Sequence, residues 1–118
     1  MESSFQVHHH KLEKAIALDL HGDLTKQAEE LLLQPRWEEG LESGRRFLII
    51  NFTETVYINS SGIALLIRIV RTGRKAGFET FAFGVTPHYQ KLFRMVGLTE
   101  YMMIYPDEYS ILARIEEE

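Results

Sequence analysis

Apolar residues in this chain fall into short runs that alternate with longer amphipathic segments. The runs predict strands at residues 5–11, 15–20, 46–52, 80–83 and 101–105. The amphipathic segments predict helices at residues 26–34, 61–75, 87–97 and 107–118. Residues 47–50 are continuously apolar, which is typical of a strand buried on both faces. Strands that alternate with helices predict an α/β fold, with a mixed sheet and helices packed on it.

Capping and helix-breaking residues set the expected helix ends. Thr25 is a suitable N-cap for the first helix, and Pro35 is expected to stop it before residues 37–41 resume a helix. Thr86 and Pro87 form an N-cap and first-turn pair for a later helix. We expect the side chains of Leu92, Phe93 and Val96 in that helix to face the core. We expect the helix to end at Gly97.

Length and composition narrow the class of protein. At 118 residues we expect a single domain over residues 1–118. The chain has 13 basic and 17 acidic residues and a net charge of −4, which argues against nucleic acid as the main partner. It has no cysteine, which excludes disulfides and thiolate chemistry. The apolar runs are too short to span a membrane and the first residues are polar, so we expect a cytoplasmic protein.

A small polar turn joins a predicted strand end to the helix over residues 61–75. It reads Asn59-Ser60-Ser61-Gly62 and lies between apolar residues on both sides. A helix N-terminus carries unpaired N–H groups and the positive end of the helix dipole, so it favours negative charge. Serine and asparagine are also ordinary N-caps, and glycine is common where a side chain has no room. From the residues alone, the turn is either a modification site or simply a cap.

The turn resembles the switch loop of STAS domains, the family of bacterial anti-sigma factor antagonists. That loop usually reads Asp-Ser-(Ser/Thr)-Gly-Leu, and this chain has Asn59 in the place of the Asp. Three further segments are similar to family motifs in the same order: 21–25, 84–87 and 96–98. The resemblance covers nearly the whole chain and implies a mostly parallel core sheet with helices on one side.

The resemblance also implies a function. Such a protein binds a kinase-type anti-sigma factor when unmodified and releases it when the first serine is phosphorylated, which regulates transcription by the sigma factor. Here Ser60 is the implied phosphorylation site, and Ser61 is the lesser candidate. The kinase brings ATP and Mg²⁺, so we expect a binding protein that is not an enzyme and has no cofactor. We expect a monomer or weak dimer.

Two residues favour an alternative function. Asn59 lacks the charge of the family's Asp, and Thr25 stands where the family commonly has a second Asp, although Asp23 keeps an acid close by. These differences suit a scaffold or regulatory subunit of a signalling or transporter complex, in which no kinase acts. A weaker third possibility is a module that binds a small ligand.

The helix after the turn has a basic face. Arg68, Arg71 and Lys75 recur at helical spacing, while Ile63, Leu66, Ile67 and Val70 are expected to face the core. In the family this helix helps to dock the anti-sigma factor, and a basic face suits an acidic partner. The common alternative is a solvated helix face.

The remaining polar residues and motifs give little indication of a metal site or of catalysis. His8, His9 and His10 are consecutive in a predicted strand, so they point alternately to opposite faces and cannot all bind one metal ion. We therefore predict no metal site. The chain contains neither a nucleophile elbow of the Gly-x-Ser-x-Gly type nor a P-loop, which leaves no sequence signal for catalysis.

Overall fold

The protein is described by a computed structural model that covers residues 5–33 and 43–117. Its described strands form one sheet in sequential order: β1 (Gln6–Lys11), β2 (Ala15–His21), β3 (Phe47–Glu54), β4 (Glu79–Phe83) and β5 (Met102–Ile104). β1 pairs antiparallel with β2, and every other neighbouring pair is parallel. The predicted mixed, mostly parallel sheet is therefore confirmed.

The helices within the described residues connect the parallel strands or follow the last one. They are α1 (Glu29–Leu32), α2 (Ser60–Lys75), α3 (Pro87–Met95) and α4 (Glu108–Glu116), with short 3₁₀ turns at Lys26–Ala28 and Leu98–Glu100. Thr25 caps the first turn and Thr86 caps α3, both as predicted. The backbone at Gly97 has a φ of 82°, a left-handed conformation that suits glycine and ends α3.

The main core lies between one face of the sheet and helices α1 to α3. Leu48, Ile50 and Phe52 of β3 are almost fully buried there, against Leu66 and Ile69 of α2. Because alternate strand residues face opposite sides, the first and third residues of β3 lie in a second, smaller cluster on the other face.

Helix α4 covers that second face. Its Ile111 and Ile115 are buried against apolar residues from three strands: Ala15, Ala17, Phe47, Ile49 and Phe81. α4 thus packs on the opposite side of the sheet from α1, α2 and α3. It buries the apolar residues of β3 that face this side.

One expected core contact is wrong, and some expectations lie outside the described residues. Phe93 is fully buried and Leu92 half-buried, but Val96 is 43% exposed, because α3 ends at Met95 and Val96 is already its C-cap.

The stop at Pro35, the resumed helix at residues 37–41 and the last residue of the chain are not among the described residues. In the two described segments no helix is long and apolar enough to cross a membrane.

Candidate functional site

The loop between β3 and α2 is held on one side by the segment that contains Leu24. Leu24 and Ile58 form an isolated parallel bridge beyond the ends of the named strands. The Leu24 amide donates to the Tyr57 carbonyl at 2.9 Å, and the Asn59 amide donates to the Leu24 carbonyl at 3.2 Å. This bridge places Asp23 and Thr25, the chain neighbours of Leu24, next to the loop.

The other side of the loop is held by α3. The Tyr89 hydroxyl accepts a hydrogen bond from the Ile58 amide at 2.9 Å and donates one to the Ile58 carbonyl at 3.3 Å. Both groups are buried, and the ring of Tyr89 packs near Phe93 in the core. The loop is therefore fixed from two directions before α2 begins.

Asn59, rather than a serine, caps α2. Its Oδ1 accepts a hydrogen bond from the Gly62 amide at 2.9 Å, and its backbone is extended, as an N-cap requires. Ser60 and Ser61 are consequently the first two helical residues, and both are exposed. The cap interpretation is correct for Asn59, and it leaves both serines accessible at a helix N-terminus.

Asp23 and Thr25 differ in how they relate to the loop. The Thr25 hydroxyl accepts a hydrogen bond from the Gln27 amide at 3.3 Å, so it serves its own helical turn. Asp23 is half-buried and immediately precedes the bridging Leu24. Of these two positions, only Asp23 brings a carboxylate to the neighbourhood of the loop.

The basic residues of α2 line a groove with Tyr101. The groove has a volume of about 540 Å³ and is lined by Ile67, Arg68, Arg71, Thr72, Arg74, Lys75 and Tyr101. Arg68 is paired with Glu29 at 3.0 Å, and the Arg74 guanidinium lies 5.1 Å from the centre of the Tyr101 ring. The structure thus brings the three predicted basic residues together. Tyr101 was missed, since no local spacing links it to α2.

The core face of α2 is broader than predicted. Ile63, Leu66 and Val70 are buried as expected, whereas Ile67 is half-buried and lines the groove. Leu65 and Ile69 are buried as well. A helix that packs on a sheet and also touches a neighbouring segment buries a wider arc than a single stripe.

Polar side chains occupy the part of the second sheet face that the cluster under α4 leaves free. His10 pairs with Asp19 at 2.6 Å. The side-chain Nδ2 of Asn51 donates to the Asp19 carboxylate at 2.9 Å, and the Thr53 hydroxyl donates to Oδ1 of Asn51 at 2.7 Å. His8 packs near His21, with ring centres 4.8 Å apart. Across the described residues, no three His, Asp or Glu side chains are arranged to hold a metal ion.

Comparison with known proteins identifies the family. The family model for the STAS domain matches residues 7–111. This chain belongs to the STAS domain family. No curated protein matches the sequence closely enough to count as a relative.

Solved structures share the fold of this STAS domain at low sequence identity. An anti-sigma factor antagonist from Mycobacterium paratuberculosis has a TM-score of 0.72 and 17% identity, with 96% of this chain and 95% of that chain covered. The phosphorylated form of the Bacillus cell fate determinant SpoIIAA has a TM-score of 0.67 and 22% identity, with coverages of 95% and 99%. A murine Solute Carrier 26 family anion transporter has a TM-score of 0.75 and 14% identity, with 92% of this chain but 19% of that chain covered.

Proposed function

We propose that this STAS domain is an anti-sigma factor antagonist of the cytoplasm, a binding protein without catalytic activity. Unmodified, it binds a kinase-type anti-sigma factor through the loop at Ser60 and through α2, which frees a sigma factor for transcription. The observation that carries the proposal is the exposure of Ser60 at the first position of α2, in a loop fixed by Leu24 and Tyr89.

Phosphorylation of Ser60 would reverse the binding. In that step the Ser60 hydroxyl oxygen bonds to the γ-phosphorus of ATP, the bond to the leaving ADP breaks, and the hydroxyl proton passes to a base. The product adds about 1.5 to 2 negative charges at neutral pH. The N-terminus of α2 accommodates this anion within the chain. In the interface, however, the charge meets a surface that was complementary to a neutral serine, so the partner is released.

The basic groove supplies a second region of contact. Ile67, at its near end, is about 10 Å from Ser60 along α2, at 1.5 Å per residue. Arg71 and Lys75 are exposed residues that line the groove beyond it. An anti-sigma factor that reaches from the loop into the groove would have an acidic patch there, which accelerates association. We expect the chain itself to be a monomer or weak dimer.

The test is an intact-mass measurement after incubation with kinase-type anti-sigma factors of the source organism and Mg-ATP. Wild-type protein, Ser60→Ala and Ser61→Ala are compared, and binding is measured before and after the reaction. We expect one added phosphate that Ser60→Ala abolishes and Ser61→Ala retains, together with weaker binding. Tight binding without any phosphate would replace the switch with a constitutive antagonist.

A second function is favoured by Asn59 and by the anion transporter that shares the fold. The uncharged Asn59 caps α2 and needs no kinase for that role. In this alternative the domain is a scaffold or a regulatory subunit of a signalling or transporter complex. Stable co-purification with a partner other than a kinase, and neither phosphate nor binding with any anti-sigma kinase, would favour it over the switch.

A further inference from the structure

The Tyr89 hydroxyl forms hydrogen bonds with both backbone polar groups of a single residue, Ile58. The hydroxyl accepts from the Ile58 amide and donates to the Ile58 carbonyl. Such a pair of bonds is what a neighbouring strand gives to a residue in a parallel sheet. Here a single oxygen atom on α3 provides it.

Ile58 needs this contact because the sheet has ended on that side. Towards Leu24, the bridge uses the Tyr57 carbonyl and the Asn59 amide, so the polar groups of Ile58 itself point the other way. The pairing of β3 with β4 stops at Asn51 and Phe83, well before Ile58. A buried backbone N–H and C=O without partners are strongly unfavourable.

We propose that Tyr89 is a positioning residue for the loop, with its hydroxyl standing in for the missing strand. Ile58 directly precedes the Asn59 cap, so fixing the Ile58 peptide groups fixes where the cap lies and where α2 and Ser60 begin. A phenylalanine would fill the same space and leave both groups of Ile58 unpaired. The role of the hydroxyl is thus separable from that of the ring.

The position of this hydroxyl is set by the start of α3. The Tyr89 amide donates to the capping Thr86 hydroxyl at 3.4 Å, and the ring contacts Phe93 in the core and exposed His88 at its edge. The start of α3 and the loop therefore form one unit. A partner that contacts both His88 and Ser60 would therefore bind on both sides of the contact between Tyr89 and Ile58.

Amide hydrogen exchange followed by NMR tests the positioning role without reference to any partner. In Tyr89→Phe we expect the amides of Ile58 and Gly62 to exchange at least tenfold faster than in the wild type, with β3 and β4 unchanged. Tyr109→Phe, which removes a hydroxyl from a residue that is 81% exposed on α4, is the control and should change neither amide. Unchanged exchange at Ile58 in Tyr89→Phe would overturn the proposal.

A measurement on the wild-type protein keeps the test open if Tyr89→Phe does not fold. A hydroxyl proton held by the Ile58 carbonyl exchanges slowly enough to be detected, and it should show a nuclear Overhauser effect to the Ile58 amide. A Tyr89 hydroxyl proton that exchanges at the rate of a solvent-exposed phenol would contradict the proposed contact.

The consequence for Ser60 rests on the proposed function and has a separate readout. If Ser60 is phosphorylated, we expect Tyr89→Phe to lower kcat/KM of the transfer at least fivefold relative to Tyr109→Phe. Equal values in the two variants would overturn the role of Tyr89 in presenting Ser60. A wild-type protein that takes no phosphate would reject the switch function, while hydrogen exchange would still decide the positioning role.

Discussion

The carbonyl oxygen of Leu24 lies 2.2 Å from the position that a Cβ atom on Gly62 would occupy. That oxygen also accepts the hydrogen bond from the Asn59 amide, so it cannot move away without disturbing the loop. The side chain of Ile58 lies 3.0 Å from the same position. At Gly62, therefore, α2 lies so close to the Leu24 segment that a side chain has no room.

Gly62→Ala should destabilise the protein. Alanine favours a helix over glycine by about 1 kcal/mol. The clash with a backbone oxygen is an overpacking effect that costs about 1–3 kcal/mol, or more where the neighbour is fixed. We expect a net loss of free energy of unfolding, measured by urea denaturation, with faster exchange of the Asn59 amide.

Gly73→Ala is the matched control, because Gly73 is a buried glycine of the same helix. Its nearest neighbours would lie 3.8–3.9 Å from a new Cβ, which is ordinary contact. Here the gain in helix propensity acts alone, so we expect up to about 1 kcal/mol of added stability. Equal effects at the two glycines would contradict the close approach at Gly62.

Replacement of Asn59 separates capping from charge. Asn59→Ala removes the acceptor for the Gly62 amide and should cost about 1 kcal/mol of stability. Asn59→Asp keeps the acceptor and adds a negative charge at the helix N-terminus, which contributes about 0.3–1 kcal/mol. Thermal unfolding should rank the aspartate variant at or above the wild type and the alanine variant below both. An aspartate variant less stable than the alanine variant would contradict this assignment of the cap.

Reversing charge in the basic groove should slow association with an acidic partner. For Arg71→Glu combined with Lys75→Glu, we expect the association rate with the proposed anti-sigma partner to fall by about tenfold at low salt. The difference should shrink as ionic strength rises, because salt screens exposed charges. Stopped-flow kinetics measure it. Lys11→Glu on β1, which changes the net charge by half as much, is the control. A fall half as large on a logarithmic scale from that variant would show only sensitivity to net charge.

Helix α4 should lose its cap in acid. The Ser110 amide and then the Ser110 hydroxyl donate to Asp107, which lowers the pKa of this carboxyl below its ordinary value of 3.8. A lowered folded-state pKa gives stability that is fully present above the unfolded pKa and is lost as pH falls through the folded one. We therefore expect α4 to weaken only below about pH 4.

NMR titration of Asp107 and exchange of the Ser110 amide measure this effect. In Asp107→Asn the side chain still caps α4 but does not titrate. We therefore expect the Ser110 amide of this variant to keep its protection from exchange as the pH falls below about 4. A folded-state pKa of Asp107 above its ordinary value would contradict the prediction.

Local patterns predicted much of this fold. Alternation and apolar runs identified the strands, and cap residues such as Thr86 placed helix starts, because these signals act over a few residues. The turn at Ser60 was likewise recognisable from adjacent residues. Side-chain contacts between distant segments were not: Tyr89 reaches Ile58 across 31 positions, and Tyr101 joins α2 only after folding.

The hydrogen-bonded chain from His10 through Asp19 and Asn51 to Thr53 has a consequence for how the molecule meets others. It covers strand ends that would otherwise be a bare sheet surface, suited to stacking on a second sheet. Stacking there would strip water from the Asp19 carboxylate and its partners, which is costly for charged and polar groups. We therefore expect partners to be recognised through the helices and the sheet edges rather than through this hydrated face.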